Sequence, residues 1–484
     1  AEKAAPQISL LSRVAVLVAG AICIGLCLFG IRGRMGYNPI KVSQAYYCED
    51  PFLNQLGVNP VFNLLTSTLD DNRKENRTLH LMSEEDALSK VQKYLHRQGI
   101  DRLSPIARKV EREGTPNRRN VVLVFMESMS ANLMGTFGSD KKLTPYLDSL
   151  YQQSLSFSHF YSSGIHTNHG IYSTLYSFPA IMKRNAMKGS VIPVYSGLPT
   201  VLQENGYCNL FFMTHESQYD NMNAFLRTNG FDEIYAQENY PSEKVVNSFG
   251  VQDDFMYQYA LPILNERAGT GNPFFSVLLS ISNHPPYVIP PYFHPHSDVL
   301  EEQIVEYADW SIRQFMQAAE KQPWFDNTIF VFLGDHGKMV GTPECEMPQS
   351  YNHIPLMIYG KDIKPGVYDG FGGQVDVSPT LLGLLNISYL QNNFGVNLLE
   401  EERPCMFFTA DNLIGARDSV NMFIYSPDSQ QEFKYKLEEG KLHAATGTDE
   451  EAFRNLKDYC FSMLQSTESL VKEHKTLDKV SVKK

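Results

Sequence analysis

The chain has 484 residues, 43% of them hydrophobic and 12% aromatic, enough apolar material for a large buried core. Its formal net charge of -12 leaves no broad basic surface to neutralise a nucleic-acid backbone, so no nucleic-acid partner is expected. The seven cysteines show neither CxxC nor zinc-type spacing, and a disulfide framework is not indicated.

Residues 14–31, VAVLVAGAICIGLCLFGI, are 18 uncharged positions between Arg13 and Arg32, nearly enough at about 1.5 Å per residue to span a ~30 Å hydrocarbon core. Together with its flanks, 10–34, this reads as one transmembrane anchor. The alternative, a signal-peptide core, requires a shorter run and a small-residue cleavage site, whereas IRGRMGYNP follows. Lys3 and Arg13 on one side balance Arg32 and Arg34 on the other, so charge does not orient the helix. Because the sequence starts without Met, earlier helices could precede it.

Residues 35–118 mix turn formers with the charged stretches DDNRKENR (70–77) and ARKVEREGTPNRR (107–119), and read as a linker with some helix. From Asn120 short apolar runs alternate with helical patterns, the signature of βα units on a mostly parallel sheet. The runs are 120–126, 208–213, 274–281, 328–333 and 354–359, each strand-length and rich in β-branched or aromatic residues. Segment 301–320 carries Ile304, Ala308, Ile312, Phe315 and Ala319 at helical spacing, an amphipathic helix for a sheet face. This unit extends to about 400. From 401 onward shorter strand-like pieces and a helix near 450–475 predict a small α+β part with a basic tail. The fold class is therefore α/β, a mostly parallel sheet sandwiched by helices.

Glu127, His215, His284 and the pair Asp335-His336 each fall within three residues of the C-terminal end of a predicted strand. Ligands of open α/β sheets bind outside those ends, so separated parts of the sequence converge on one site. Two carboxylates and an imidazole, Glu127, Asp335 and His336, suit Mn²⁺, Mg²⁺ or Zn²⁺. A divalent ion there would lower the pKa of a bound hydroxyl and polarise a phosphoryl oxygen. Thr167 follows a Gly-containing loop and precedes a predicted helix, where unpaired amides and the helix dipole favour alkoxide and phosphate. An ordinary N-cap threonine would occupy the same place.

Together FMES around Glu127, GIHTNHG around Thr167, SNHPPY around His284, FLGDHG around Asp335 and His336, NHIPLMIYG around His353 and QVDVSPTLLGLL at 374–385 resemble the lipoteichoic acid synthase branch of the alkaline phosphatase and sulfatase superfamily. The resemblance covers roughly 119–400. It implies one divalent cation, usually manganese, held by Glu127, Thr167, Asp335 and His336, with Thr167 transiently phosphorylated and His284 contacting the phosphate. It also implies a membrane lipid or phospho-headgroup substrate and a catalytic domain outside the bacterial cytoplasmic membrane. His353 corresponds to a second-metal histidine in related superfamily members, or simply caps the sheet, while His166, His169 and His215 are further cleft candidates. One segment departs from the family: HESQYDNMNAFLRTNG (215–230) places Asp220 and Met222 where the glycerol-phosphate-recognising aromatic and arginine would stand. Asp220 is then either a determinant of the accepted headgroup or the cap of a helix starting near Asn221.

Two other functions share this fold. A sulfuric ester hydrolase needs a C/S-x-P-x-R motif for formylglycine, which the sequence lacks. A noncatalytic envelope binding protein has no need of the nucleophile and metal-type residues, all of which are present.

Overall fold

The computed structural model describes residues 9–35, 39–48, 51–73, 76, 78–100, 105–188, 192–438, 440–445 and 450–477. Lys3, parts of the charged run 70–77 and the basic tail lie outside them.

The chain opens with helix α1 (Leu10–Arg32), ended by Gly33 in the left-handed conformation at φ 76°. Its 23 residues are all exposed, and it is long and apolar enough to cross a membrane, a test that a signal sequence also passes. Short helices α2 (Pro51–Leu56), α3 (Pro60–Asp71) and α4 (Glu84–Tyr94) and strand β1 (Arg108–Val110) follow. The α/β part then runs β2 (Asn120–Met126), α5 (Pro145–Gln153), β3 (Leu155–Tyr161), α6 (Thr167–Tyr176), α7 (Leu198–Glu204), β4 (Cys208–Met213), α8 (Met222–Thr228), β5 (Glu233–Tyr235), α9 (Asp253–Ala268) and β6 (Phe274–Leu279). It continues through α10 (Leu300–Ala319), β7 (Thr328–Gly334), β8 (Leu356–Tyr359), β9 (Gly366–Gly373) and α11 (Val377–Leu384). Last come β10 (Tyr389–Gln391), β11 (Met406–Thr409), β12 (Ile414–Arg417), β13 (Asn421–Ser426), β14 (Gln431–Glu438), β15 (Lys441–Ala444) and α12 (Glu450–Lys472).

Eight strands form one sheet in the order β5-β4-β6-β2-β7-β8-β3-β9. Seven run the same way, and β8 alone is antiparallel to both neighbours. The central strands β4, β6, β2 and β7 coincide with four of the apolar runs. They are near-continuously buried, as parallel strands covered on both faces must be. Val121, Leu123 and Phe125 point into one core with side chains of α6, α7, α8, α11 and α12, while Val122, Val124 and Met126 point into a second core with α5, α9 and α10. Ile304, Ala308, Ile312, Phe315 and Ala319 of α10 are all buried, as their spacing predicts.

A second, antiparallel sheet, β11-β12-β13-β14-β15, packs against α12, which in turn packs on α4. The stretch read as a linker thus carries an element docked on the C-terminal part, and β1 pairs with β10. Buried Arg97 donates to the carbonyls of Asn393 and Gly395. Arg403 forms a fully buried bidentate pair with Asp376 and also donates to Tyr459 Oη and the Phe394 carbonyl. Planar guanidinium against carboxylate, with every remaining donor engaged, is the arrangement in which a buried ion pair is tolerated.

Candidate active site

Strand register brings the first carboxylates together. Met126 of β2 lies opposite Gly334 of β7, so the next residues, Glu127 and Asp335, leave adjacent parallel strands side by side. His336 comes with Asp335, and ligand atoms of these three residues lie within 4.8 Å of one another. Asp335 Oδ1 accepts the backbone amides of Ser128 and His336, both at 2.8 Å, whereas its Oδ2 is buried with no hydrogen-bond partner. His336 Nδ1 donates to the Gly337 carbonyl at 2.8 Å, which leaves the Nε2 lone pair 3.5 Å from Asp335 Oδ2 and 3.8 Å from Glu127 Oε1. Burial and then the charge of Asp335 push the Glu127 carboxyl well above the usual carboxylate range. Two buried carboxylates beside a correctly presented imidazole nitrogen, one oxygen left without a partner, are a donor set that a divalent cation fits.

Thr167 opens α6, and its Oγ1 lies 3.4 Å from Glu127 Oε2. The N-cap is His166, not Thr167, and the amides of His169 and Gly170 return to the His166 carbonyl. The threonine hydroxyl is therefore free of capping duty and faces the carboxylate cluster. Gly170 makes this approach of helix to strand end achievable. A Cβ there would stand 2.2 Å from the Asp335 carbonyl oxygen, inside any tolerable contact. Gly170→Ala is expected to push α6 from β7, lowering stability by about 1–3 kcal/mol and activity at least tenfold, measured by denaturant unfolding beside turnover. The loop before α6 is held from below: Gln374 Nε2 donates to the carbonyls of Gly334 and Asp335, and its Oε1 accepts the Ser163 amide.

The other histidines separate. His284 lies within electrostatic reach of Asp335 and His336, and its Nδ1 donates to the Pro285 carbonyl at 2.6 Å, leaving Nε2 for a ligand. Burial lowers its pKa below the ordinary imidazole value. Its loop is fixed by buried Asp253, which accepts the amides of Ile281 and Ser282 and whose carboxyl burial pushes up to about 6. His215 is buried next to Tyr219, bonds the Glu216 carbonyl, and senses Asp220 and His284. His166 pairs with Asp411 of the C-terminal part at 2.5 Å. His169 is fully buried, bonded to the Arg184 carbonyl, and held by burial down to about 3, so it supports the start of α6 from inside. His353 is not brought to the metal-type cluster. Its Nε2 bonds the Ser158 carbonyl and its ring stacks on Tyr161 and meets Phe137 edge to face, because it sits where β8 begins against β3. The sheet-cap alternative is the one the geometry supports.

Asp220 is neither a helix cap nor turned to solvent: Oδ2 accepts from Asn168 Nδ2 and Oδ1 from Lys188 Nζ, both at 3.2 Å. The carboxylate that bonds Asn168, the neighbour of Thr167, is thus already paired with a lysine. Sequence reading missed several neighbours, although they lie in or beside the quoted motifs. Lys338, immediately after GDHG, donates to Asn283 Oδ1 of SNHPPY; Lys338 senses Glu127, and its ammonium is lowered by burial to about 8. Asn283 in turn holds the Glu127 and Ser128 carbonyls.

A mostly parallel sheet with carboxylates, imidazole and a helix-terminal threonine gathered at the C-terminal ends of its strands defines an alkaline phosphatase-like α/β fold. The chain belongs to the sulfatase family, whose profile matches residues 119–387. Among curated proteins it is similar to the lipoteichoic acid synthase-like YvgJ of Bacillus subtilis, 25% identical over 362 residues, which are 68% of this chain and 56% of the relative. Lipoteichoic acid synthase 2 of the same organism is 23% identical over 342 residues, 63% of this chain and 51% of the relative. The chain thus spans about half the length of the curated relatives it matches. Among solved structures, an alkaline phosphatase superfamily protein from Vibrio parahaemolyticus superposes with a TM-score of 0.75 at 24% identity, covering 83% of this chain and 99% of that one. The lipoteichoic acid synthase LtaP from Listeria monocytogenes gives 0.64 at 21%, covering 80% and 98%. Both likenesses concern the fold.

Proposed function

We propose that this protein is a divalent-cation-dependent phosphoryl or phosphoglycerol-type transferase or hydrolase, acting on membrane-lipid headgroups or envelope glycans through a phosphorylated Thr167. The observation that carries this reading is the placement of the Thr167 hydroxyl 3.4 Å from Glu127 in a cluster whose Asp335 keeps a buried, partnerless oxygen. Glu127, Asp335, His336 and Thr167 would hold the cation, manganese being the expected one and magnesium or zinc the alternatives. When bound, it supplies Lewis-acid activation of the threonine hydroxyl and neutralisation of phosphoryl charge.

The chain's own groups divide the remaining work. Thr167 Oγ attacks phosphorus and the bond to the departing lipid alkoxide breaks, leaving the phospho-headgroup on Thr167; an acceptor hydroxyl or water then attacks phosphorus and frees the threonine. The His169 and Gly170 amides close on the His166 carbonyl, so in the first turn of α6 the Thr167 and Asn168 amides would be the ones to face developing negative charge. His284 Nδ1 is committed to the Pro285 carbonyl, so Nε2, when protonated, would donate to a phosphoryl oxygen and carry a proton between leaving and entering oxygens. Helix α1 would anchor the protein in the bacterial cytoplasmic membrane, with the catalytic unit outside the cytoplasm.

The test is donor choice. Full-length protein is offered phosphatidylglycerol, phosphatidylethanolamine and an aryl sulfate, with mass spectrometry of the peptide containing Thr167 after acid quench. Phosphodiester turnover with a headgroup-phosphate increment on Thr167 is expected, and activity confined to the aryl sulfate would overturn phosphotransfer in favour of sulfuric ester hydrolysis. Neutralising Asp220 in Asp220→Asn is expected to shift the preference between the two lipids by about three- to tenfold, because Lys188 would lose its partner beside the site.

A further inference from the structure

The segment after α1 is folded back onto the active-site side of the molecule. The Ile40 amide bonds the Arg32 carbonyl at 2.9 Å, Arg34 pairs at 2.5 Å with buried Glu216, the neighbour of His215, and Asn223 donates to the carbonyls of Ser43 and Tyr46. Between this segment, α3 and the region around Lys188 lies a cavity of about 400 Å³. Ile40, Phe62, Leu69 and Ile192 give it apolar walls, while Lys41 and Lys188 supply positive charge. Its lining includes Asn221, next to Asp220, so the chain of contacts Lys188–Asp220–Asn168 leads from the cavity to the residue adjoining Thr167.

Helix α3 has a second face. Val61, Leu64, Leu65 and Leu69, at i, i+3, i+4 and i+8, are 60–69% exposed along one stripe. An uncovered apolar stripe on a helix two short segments from the end of α1, with lysines behind it, is the pattern of a helix lying in a membrane interface. The same helix contributes Phe62, Thr66 and Leu69 to the cavity, so the stripe and the cavity are continuous.

We propose that α3 lies on the bilayer surface and that the cavity behind it is a staging site for one anionic glycerophospholipid, held by Lys41 and Lys188 at its phosphate and by the apolar walls at its glycerol and upper acyl carbons before the headgroup reaches Thr167. The inference rests on the lipid-headgroup reading above and adds the route by which a membrane lipid enters. Burial and then Lys188 lower the Lys41 ammonium below its ordinary value, with Asp220 and Glu216 opposing; Arg73 also lines the cavity, so an added phosphate would meet three cations against two carboxylates.

The experiment uses the full chain in phosphatidylcholine nanodiscs carrying a trace of photoreactive diacyl phosphatidylglycerol, with labelled peptides mapped by mass spectrometry. Labelling of 39–42 and 60–69 is expected, competed by unlabelled phosphatidylglycerol but not by phosphatidylcholine, and reduced at least fivefold in the Lys41→Glu, Lys188→Glu double variant. Separately, Leu64→Glu with Leu65→Glu is expected to lower turnover of bilayer phosphatidylglycerol about tenfold or more, leaving turnover of water-soluble bis(4-nitrophenyl) phosphate within about twofold, because acidic side chains oppose seating in an anionic interface. Label confined to α1, label insensitive to the lysine variants, or equal loss on both substrates overturns the staging site. Specific labelling of a wild-type protein that cleaves neither phosphodiester upholds the staging site and overturns phosphotransfer instead.

Discussion

Thr167→Ala should fold, bind its cation weakly and turn over no substrate. The side chain is half-buried at the first position of α6, where His166 is the N-cap, so the substitution costs no cap and opens no cavity in either core. What it removes is the oxygen that would attack phosphorus, and loss of a nucleophile acting as part of a unit lowers turnover by about 10³-fold or more. Thermal unfolding in chelator should match wild type within a few degrees, and the acid-quenched protein should carry no increment on this peptide. Residual turnover within tenfold of wild type would remove Thr167 from the mechanism. Thr167→Ser restores an oxygen and is expected to recover measurable turnover, which a purely structural role would not require.

The central sheet was legible because its physics is local. Four parallel strands buried on both faces read as unbroken apolar runs, and each is followed at once by a polar residue, Glu127, Thr214, Ser280 or Asp335, that the parallel direction sends to one edge. The last two strands of the sheet, β3 and its edge neighbour β9, were illegible for the converse reason. β3, LSFSHFY, interleaves Ser and His with its aromatics, and β9, GVYDGFGG, has glycine at half of its eight positions, so neither shows the period or the bulk of a strand. Missing β3 also hid the reason for His353's position, since its bond is to a β3 carbonyl. Tertiary partners explain the remaining gaps. Arg34, Lys41 and Lys188 converge near the cleft from segments about 150 residues apart, and nothing in their local sequence announces it. Asp220 could be singled out from its place in a departing motif, but its pairing with Lys188 and Asn168 depends on two loops and a helix end meeting.

Replacing Asp335 by Asn should raise the stability of the cation-free protein while abolishing stabilisation by added metal. Asn can keep the Oδ1 acceptor that receives the Ser128 and His336 amides, so the strand end remains tied. The atom that changes is Oδ2, buried without a partner and facing the His336 and Glu127 side chains. In the wild type without metal this oxygen adds like-charge repulsion to the burial of Glu127, and that repulsion disappears in the variant. A carboxyl whose folded-state pKa is raised binds more protons folded than unfolded, so it lowers stability as pH climbs from the ordinary carboxylate value through the raised one. Chelated wild type is therefore expected to lose stability over that window, and the Asn variant to lose less. With saturating Mn²⁺ the order reverses: wild type gains stability as RT ln(1 + [L]/Kd), about 2.7 kcal/mol at a hundredfold excess over Kd, and the variant, lacking one anionic ligand, gains little. Glu127→Gln should show the same crossing, and His336→Ala loss of the metal gain without relief of the carboxylate repulsion. Unfolding midpoints with chelator and with Mn²⁺, beside metal content by mass spectrometry, decide the matter. An unchanged metal-to-protein ratio in all three variants would place the cation elsewhere.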